Sequence, residues 1–190
     1  MYKRQPEECD ALIEPLRAVA PVLLDTVQEM PFAASDAIHQ DPPQPTPLSV
    51  ENALVTALDE AGQRTLLEHV GADSGTAITL VELRHLEGAF SRPVDGGGAV
   101  AATDARFVLW IVAAGMPEDS RAAVLEAQAM LDAMAPWNTG ARTINFAPDD
   151  GRLELAFSAD DWERLRTVKR TADPDDVFRL QLPVDPGVTS

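Results

Sequence analysis

The chain has 190 residues, of which 45% are hydrophobic, and carries a formal net charge of −16. That length and apolar content suit one ordinary domain, which at this size buries roughly 70% of its unfolded surface, and they count against disorder through the bulk of the chain. The acidic balance repels phosphates, whereas a duplex or membrane-surface binder needs clustered Lys and Arg, so neither nucleic acid nor membrane is expected as a partner.

The single Cys9 leaves no internal disulfide, which suits a reducing cytoplasm. The longest apolar run, Phe107 to Met116, is ten residues; a membrane-spanning helix needs about 20. No apolar core follows the basic residues near Met1, so no signal peptide is expected. Residues 1–5, Met-Tyr-Lys-Arg-Gln, resemble the translated end of a sequencing-library adapter, with a native basic pentapeptide as the alternative. On the first reading the open reading frame begins inside a gene.

Residues 6–18 predict a helix with Leu12, Ile13 and Leu16 on one side and Pro15 at a start or kink. The β-branched run Val22 to Met30 predicts a strand, and Pro31 to His39 a short helix. Gln40 to Pro47, with four prolines in eight residues, predicts an extended loop. Asp59 to Val70 predicts a helix with Leu66, Leu67 and Val70 on its apolar side and Gly71 as its C-terminal cap. Thr76 to His85 and Arg106 to Ala114 predict strands joined by a long Gly-rich hairpin connection. Pro117 opens a helix to about Met134, in which Val124, Ala127, Leu131 and Met134 face a core formed by those two strands. Ala141 to Phe146 and Leu153 to Phe157 predict short strands. Ser158 caps a last helix, with Asp161 three residues on, and Trp162, Leu165 and Val168 form an apolar stripe. Asp160 with Arg164, and Glu163 with Arg166, are spaced for ion pairing. The pattern is an α+β domain: an antiparallel sheet backed by helices, with a C-terminal strand-helix tail.

Most familiar motifs fail on context. Gly96-Gly97-Gly98-Ala99-Val100-Ala101 has the spacing of a dinucleotide turn, but no buried strand precedes it and no helix follows, so a hairpin loop is the better reading. His39, His69 and His85 stand apart and there is no second Cys, so no metal spacing exists. Ser74 lies in Gly-Ala-Asp-Ser-Gly, not a nucleophile elbow. Asp149-Asp150 and Asp160-Asp161 suit solvated turns or a helix start. Trp110 sits among apolar strand residues as core; Trp137 follows Ala135-Pro136 and can line a pocket for a small-molecule substrate.

Four stretches in order, Thr26 to Gln40, Val81 to Pro93, Ala135 to Phe146 and Glu163 to Leu180, resemble the second half of a berberine bridge enzyme-like FAD-linked oxidoreductase of the vanillyl-alcohol oxidase superfamily. The resemblance covers about residues 8–184 and implies residues 6–138 as part of a substrate domain and residues 139–190 as the C-terminal segment, which follow the adapter-like residues 1–5. It implies that the FAD domain lies outside this chain, that the tail, with Phe178, packs on it, and that a hydride passes from a small alcohol- or amine-type substrate to FAD. It places Asn145 and Phe146 beside the flavin, Thr143 where many members have a Tyr, and Arg84 on the substrate side or in a structural role. A Thr hydroxyl cannot replace a phenol as base. The alternative is a stand-alone small-molecule binding or partner-recognition module without catalysis.

Overall fold

A computed structural model describes residues 6–39, 44–100, 103–115, 117–148, 150–178 and 184. The chain divides into two compact units, residues 1–45 and 46–190. In the first, α1 (Pro6–Arg17) accommodates Pro15 within it. A 3₁₀ turn (Phe32–Ala34) and the short α2 (Asp36–His39) are the unit's other helices among the described residues. Val22 to Met30 is not a strand: β-branched residues favour a strand only where a ladder is available, and none pairs here. The segment is held by Asp25, which accepts from Arg17 Nε at 2.6 Å and from the Val27 amide at 2.9 Å.

The second unit is α+β. Three antiparallel strands, β1 (Leu48–Val55), β2 (Leu80–His85) and β3 (Phe107–Ala114), stand in the order β1-β3-β2. Leu48 faces Ala114 and Val55 faces Phe107 across one ladder; Leu80 faces Val112 and His85 faces Phe107 across the other. β1 lies between the expected loop ending at Pro47 and the expected helix from Asp59, in a stretch whose pattern named no element. Glu51 and Asn52 interrupt its apolar alternation, yet Asn52 is buried. β2 is shorter than expected: Thr76 and Ala77 turn to Glu126, whose carboxylate accepts from the Thr76 hydroxyl at 2.6 Å and the Ala77 amide at 2.7 Å, while Thr79 still donates from its amide to Val112 O on β3 at 2.9 Å.

Alternation divides the sheet. Ala53, Val55, Leu109 and Ile111 face α3 (Glu60–Val70) and α4 (Pro117–Ala133), forming the main core with Ala127, Met130 and Met134. Burial of each large side chain there contributes about 1.5–3 kcal/mol. The buried stripe of α4 is Ser120, Ala123, Ala127 and Met130, continued by Met134 just past its end, helical spacing rotated slightly from the expected one, with Val124 and Leu131 at its flank. Its main sheet partners are β1 and β3. Asp59 caps α3 by accepting from the Gly62 amide at 2.9 Å. Gly71 ends α3 in extended conformation; a Cβ there would sit 2.5 Å from the Leu67 carbonyl, so close approach is what requires glycine.

Two further expected strands are 3₁₀ turns, Ile144–Phe146 and Leu153–Ala156. The chain meets the β1 edge earlier: Thr139 N donates to Leu54 O and Leu54 N to Ala141 O, each at 2.9 Å. Beyond Ala141 the ladder stops: Arg142 N donates to Leu155 O at 3.1 Å, and the Asn52 side chain holds backbone groups of Thr143 and Phe146. The tail is therefore turn-helix and not strand-helix. It continues into α5 (Ala159–Ala172), where Ser158 Oγ accepts from the Asp161 amide at 3.1 Å, as expected of a cap. Arg166 pairs with Glu163 at 3.2 Å, while Asp160 and Arg164 make no ion pair among the described residues. No helix among the described residues is long and apolar enough to cross a membrane.

Candidate functional site

The sheet face turned away from α3 and α4 carries a small aromatic surface. Leu54, Leu86, Ala105 and Val108 form its base, and Trp110 and Phe146 lie on it. The two rings stack with centroids 4.7 Å apart. The Arg84 guanidinium covers both, 5.0 Å from the Trp110 centroid and 4.6 Å from that of Phe146. Glu82, two residues along the same strand and so on the same face, orients Arg84 by accepting from Nε at 2.6 Å and Nη2 at 3.1 Å. Trp110 is thus not buried in the main core. Its indole N–H is buried, with no acceptor among the described residues, a condition that costs about 1–3 kcal/mol.

Phe146 reaches this face because Asn52 fastens its turn. The Asn52 amide donates to the Phe146 carbonyl at 2.6 Å and the Thr143 carbonyl at 3.3 Å, and its oxygen accepts from the Thr143 amide at 2.7 Å. Thr143 is therefore placed through its backbone. Arg142, 7% exposed, anchors the same turn. Its Nη1 contacts both Asp150 oxygens at 3.0–3.1 Å, and Arg152 shares that carboxylate at 3.1 Å. Asp150 is exposed at the surface, as expected of a turn acid, but it is paired with both guanidinium groups. Burial pushes its pKa up, but the Arg152 amide and the two guanidinium groups outweigh this and hold it below the usual carboxylate value.

Asn145 is exposed and points to a different space. It borders an open cavity of about 770 Å³ between the β1 edge and α4, with Val50, Glu51, Ile111, Ala127 and Ile144. Burial raises the Glu51 pKa, opposed by nearby Arg142. Trp137 belongs elsewhere. It packs on the helix-side core, lies over Gly62, and its Nε1 donates to Asp59 Oδ1 at 3.1 Å. Of the five residues singled out from sequence, Arg84 and Phe146 meet directly, Thr143 joins them through Asn52, and Asn145 and Trp137 do not. Asn52, Glu82, Trp110, Arg142 and Asp150 were missed. A polar Asn within an otherwise half-apolar strand was the one local signal.

At the far end, Lys169 locks the residues after α5. Its ammonium contacts the Asp173 carboxylate, Asp176 Oδ1 at 2.7 Å and the Phe178 carbonyl at 2.8 Å. Asp173 also accepts from the Val177 and Phe178 amides at 2.8 and 3.0 Å. This network leaves the Phe178 side chain 73% exposed and Val168 54% exposed. Trp162 is half-buried and stacks on Phe157 at 5.7 Å. Among the described residues no group of three or more His, Cys, Asp or Glu is arranged to hold a metal ion.

Residues 143–185 match the family described as "Berberine and berberine like". No curated protein matches the chain. Among solved structures, BBE-like 1 from Physcomitrella patens is similar to this chain with a TM-score of 0.71 and 15% identity, over 99% of this chain and 44% of that protein. A variant of the same protein gives a TM-score of 0.72 at 15% identity, over the same shares. The chain thus carries the berberine-like pattern in residues 143–185 on a fold shared with BBE-like proteins, and it spans less than half the length of those structures.

Proposed function

We propose that this chain is the substrate-side and C-terminal part of an FAD-dependent oxidoreductase that moves a hydride from a C–H beside an alcohol or amine to flavin. The observation that carries this reading is the berberine-like match over residues 143–185 on a fold shared with BBE-like proteins. The sheet face is chemically suited to a flavin. A stacked Trp110–Phe146 pair flanked by Arg84 fits one side of a planar aromatic ring. A phosphate cradle is a different matter. The described residues contain no glycine-rich turn leading into a helix N-terminus, and the turn at Gly96 runs into no helix through residue 100. The pyrophosphate is therefore assigned to polypeptide outside these 190 residues, and the chain alone is expected to be inactive.

In this reading flavin supplies the redox chemistry. The residues of this chain shape the reactant side: Asn52 and Arg142 fix the turn of residues 143–146, and Thr143 positions without acting as a base. The exposed Val168 and Phe178 form the surface that meets the FAD domain, with Lys169 and Asp173 presenting them. The test is a polypeptide extended upstream through the adjoining coding sequence. Under anaerobic conditions its flavin should bleach on addition of a suitable alcohol- or amine-type reactant. A flavin-free extended protein, or an upstream stop codon with its own ribosome-binding site ahead of Met1, contradicts the reading.

A further inference from the structure

β2 is an edge strand, and its free side is self-complementary. Leu86 N donates to Arg106 O at 2.9 Å, and the antiparallel register has Glu82 facing Trp110 and Arg84 facing Val108. By that parity Glu82 and Arg84 direct their backbone groups to β3, while Val81, Leu83 and His85 direct theirs outward. No strand among the described residues pairs with that side. An unpaired edge without proline is a template for another strand unless something blunts it. Here the two charges that might blunt it, Glu82 and Arg84, are opposite in sign and symmetric about Leu83.

We propose that β2 pairs with β2 of a second copy of this chain, antiparallel about a two-fold axis at Leu83. Leu83 then faces the second copy's Leu83, and Val81 faces its His85; in both pairs the backbone groups point at each other. Glu82 faces Arg84 of the second copy, and Arg84 its Glu82, so two cross-strand ion pairs form on one sheet face. On the other face, Leu83 and Leu67 are 38% and 64% exposed and line a groove of about 280 Å³ between α3 and the β2 edge, with Leu66 and Val70. The second copy brings the same apolar side chains to that groove. The contact is isologous and closes as a dimer with a continuous sheet. This inference concerns the 190-residue chain itself and does not rest on the flavoenzyme reading.

Light scattering coupled to size exclusion, run over a range of concentrations, tests it. The expected mass is twice the 20.5 kDa of one chain. Leu83→Lys sets two ammonium groups against each other at the axis, and Arg84→Glu sets Glu against Glu82. Each is expected to weaken the dimer by about tenfold or more, with the far-UV circular dichroism unchanged. The exchange E82R with R84E restores opposite charges in the same register and should restore the dimer. A monomer at every concentration overturns the proposal. So does a dimer indifferent to Arg84→Glu, or a folded exchange variant that stays as weak as Arg84→Glu alone. If Leu83→Lys fails to fold, the Arg84→Glu and exchange variants, whose side chains lie at the surface, decide the matter.

Discussion

The side-chain amide of Asn52 donates to the Phe146 carbonyl at 2.6 Å, joining the middle of β1 to a turn 94 residues away. With the two contacts to Thr143, it substitutes for the ladder that the backbone of residues 143–146 does not make. Asn52 is 4% exposed, so removing it leaves buried backbone groups without partners. Asn52→Ala should cost about 2–4 kcal/mol, on the scale of one or two lost buried hydrogen bonds with unsatisfied remnants. Urea denaturation measures it. The same variant should change Trp110 fluorescence, because Phe146 loses the tether that keeps it stacked.

Asp150 receives two guanidinium groups, and one of them, on Arg142, is buried. Asp150→Ala leaves that charge without its bidentate partner. The loss should be about 1–3 kcal/mol, below the full penalty of a sealed pair because Asp150 itself is partly solvated. Arg152→Ala, which removes only the exposed partner, should cost well under half as much. Paired thermal melts check the ratio.

Lys169 holds the Asp173 pKa below its ordinary value of 3.8 by hydrogen bonding, against some desolvation. A carboxyl depressed in the folded state contributes stability above its unfolded pKa, and that contribution is lost as pH falls through the folded value. The lock around Phe178 should therefore hold at pH 5 to 7 and loosen only below pH 3.8. A carbon-detected NMR titration of the Asp173 carboxyl should give a midpoint under 3.8 in wild type. In Lys169→Met the midpoint should move upward, and the amides of Val177 and Phe178 should lose exchange protection.

Glu51 has the opposite sign. Burial raises its pKa, so its charged form is a cost at neutral pH that lessens on acidification. Glu51→Gln should raise the melting temperature at pH 7 by a small amount and reduce the gain that wild type shows between pH 7 and pH 5. A fall in melting temperature would mean that the carboxylate makes a favourable contact with Arg142 that outweighs its desolvation.

Helices were the legible part of the chain because their ends carry local chemistry: Asp59 before α3, Pro117 opening α4 and Ser158 before α5. Strands were less so. Val22 to Met30 has strand-forming residues but no partner, and Ala141 to Phe146 has strand-like alternation but is held by a side chain. β1 was hidden by Glu51 and Asn52, the two residues that later prove to border the candidate site. Arg84 and Phe146 came into view through family resemblance, and their contact with Trp110 did not. Such contacts depend on register between strands far apart in sequence, which no local spacing encodes.

The central claim is that these residues are one side of a flavin site whose phosphate-binding part lies elsewhere. Its most direct measurement is FAD retention, made on the purified 190-residue chain and on the polypeptide extended upstream, after reconstitution and gel filtration. The account predicts that the extended protein elutes with a stoichiometric visible flavin spectrum and that the shorter chain elutes without one. Stoichiometric FAD retained by the 190-residue chain alone would contradict it.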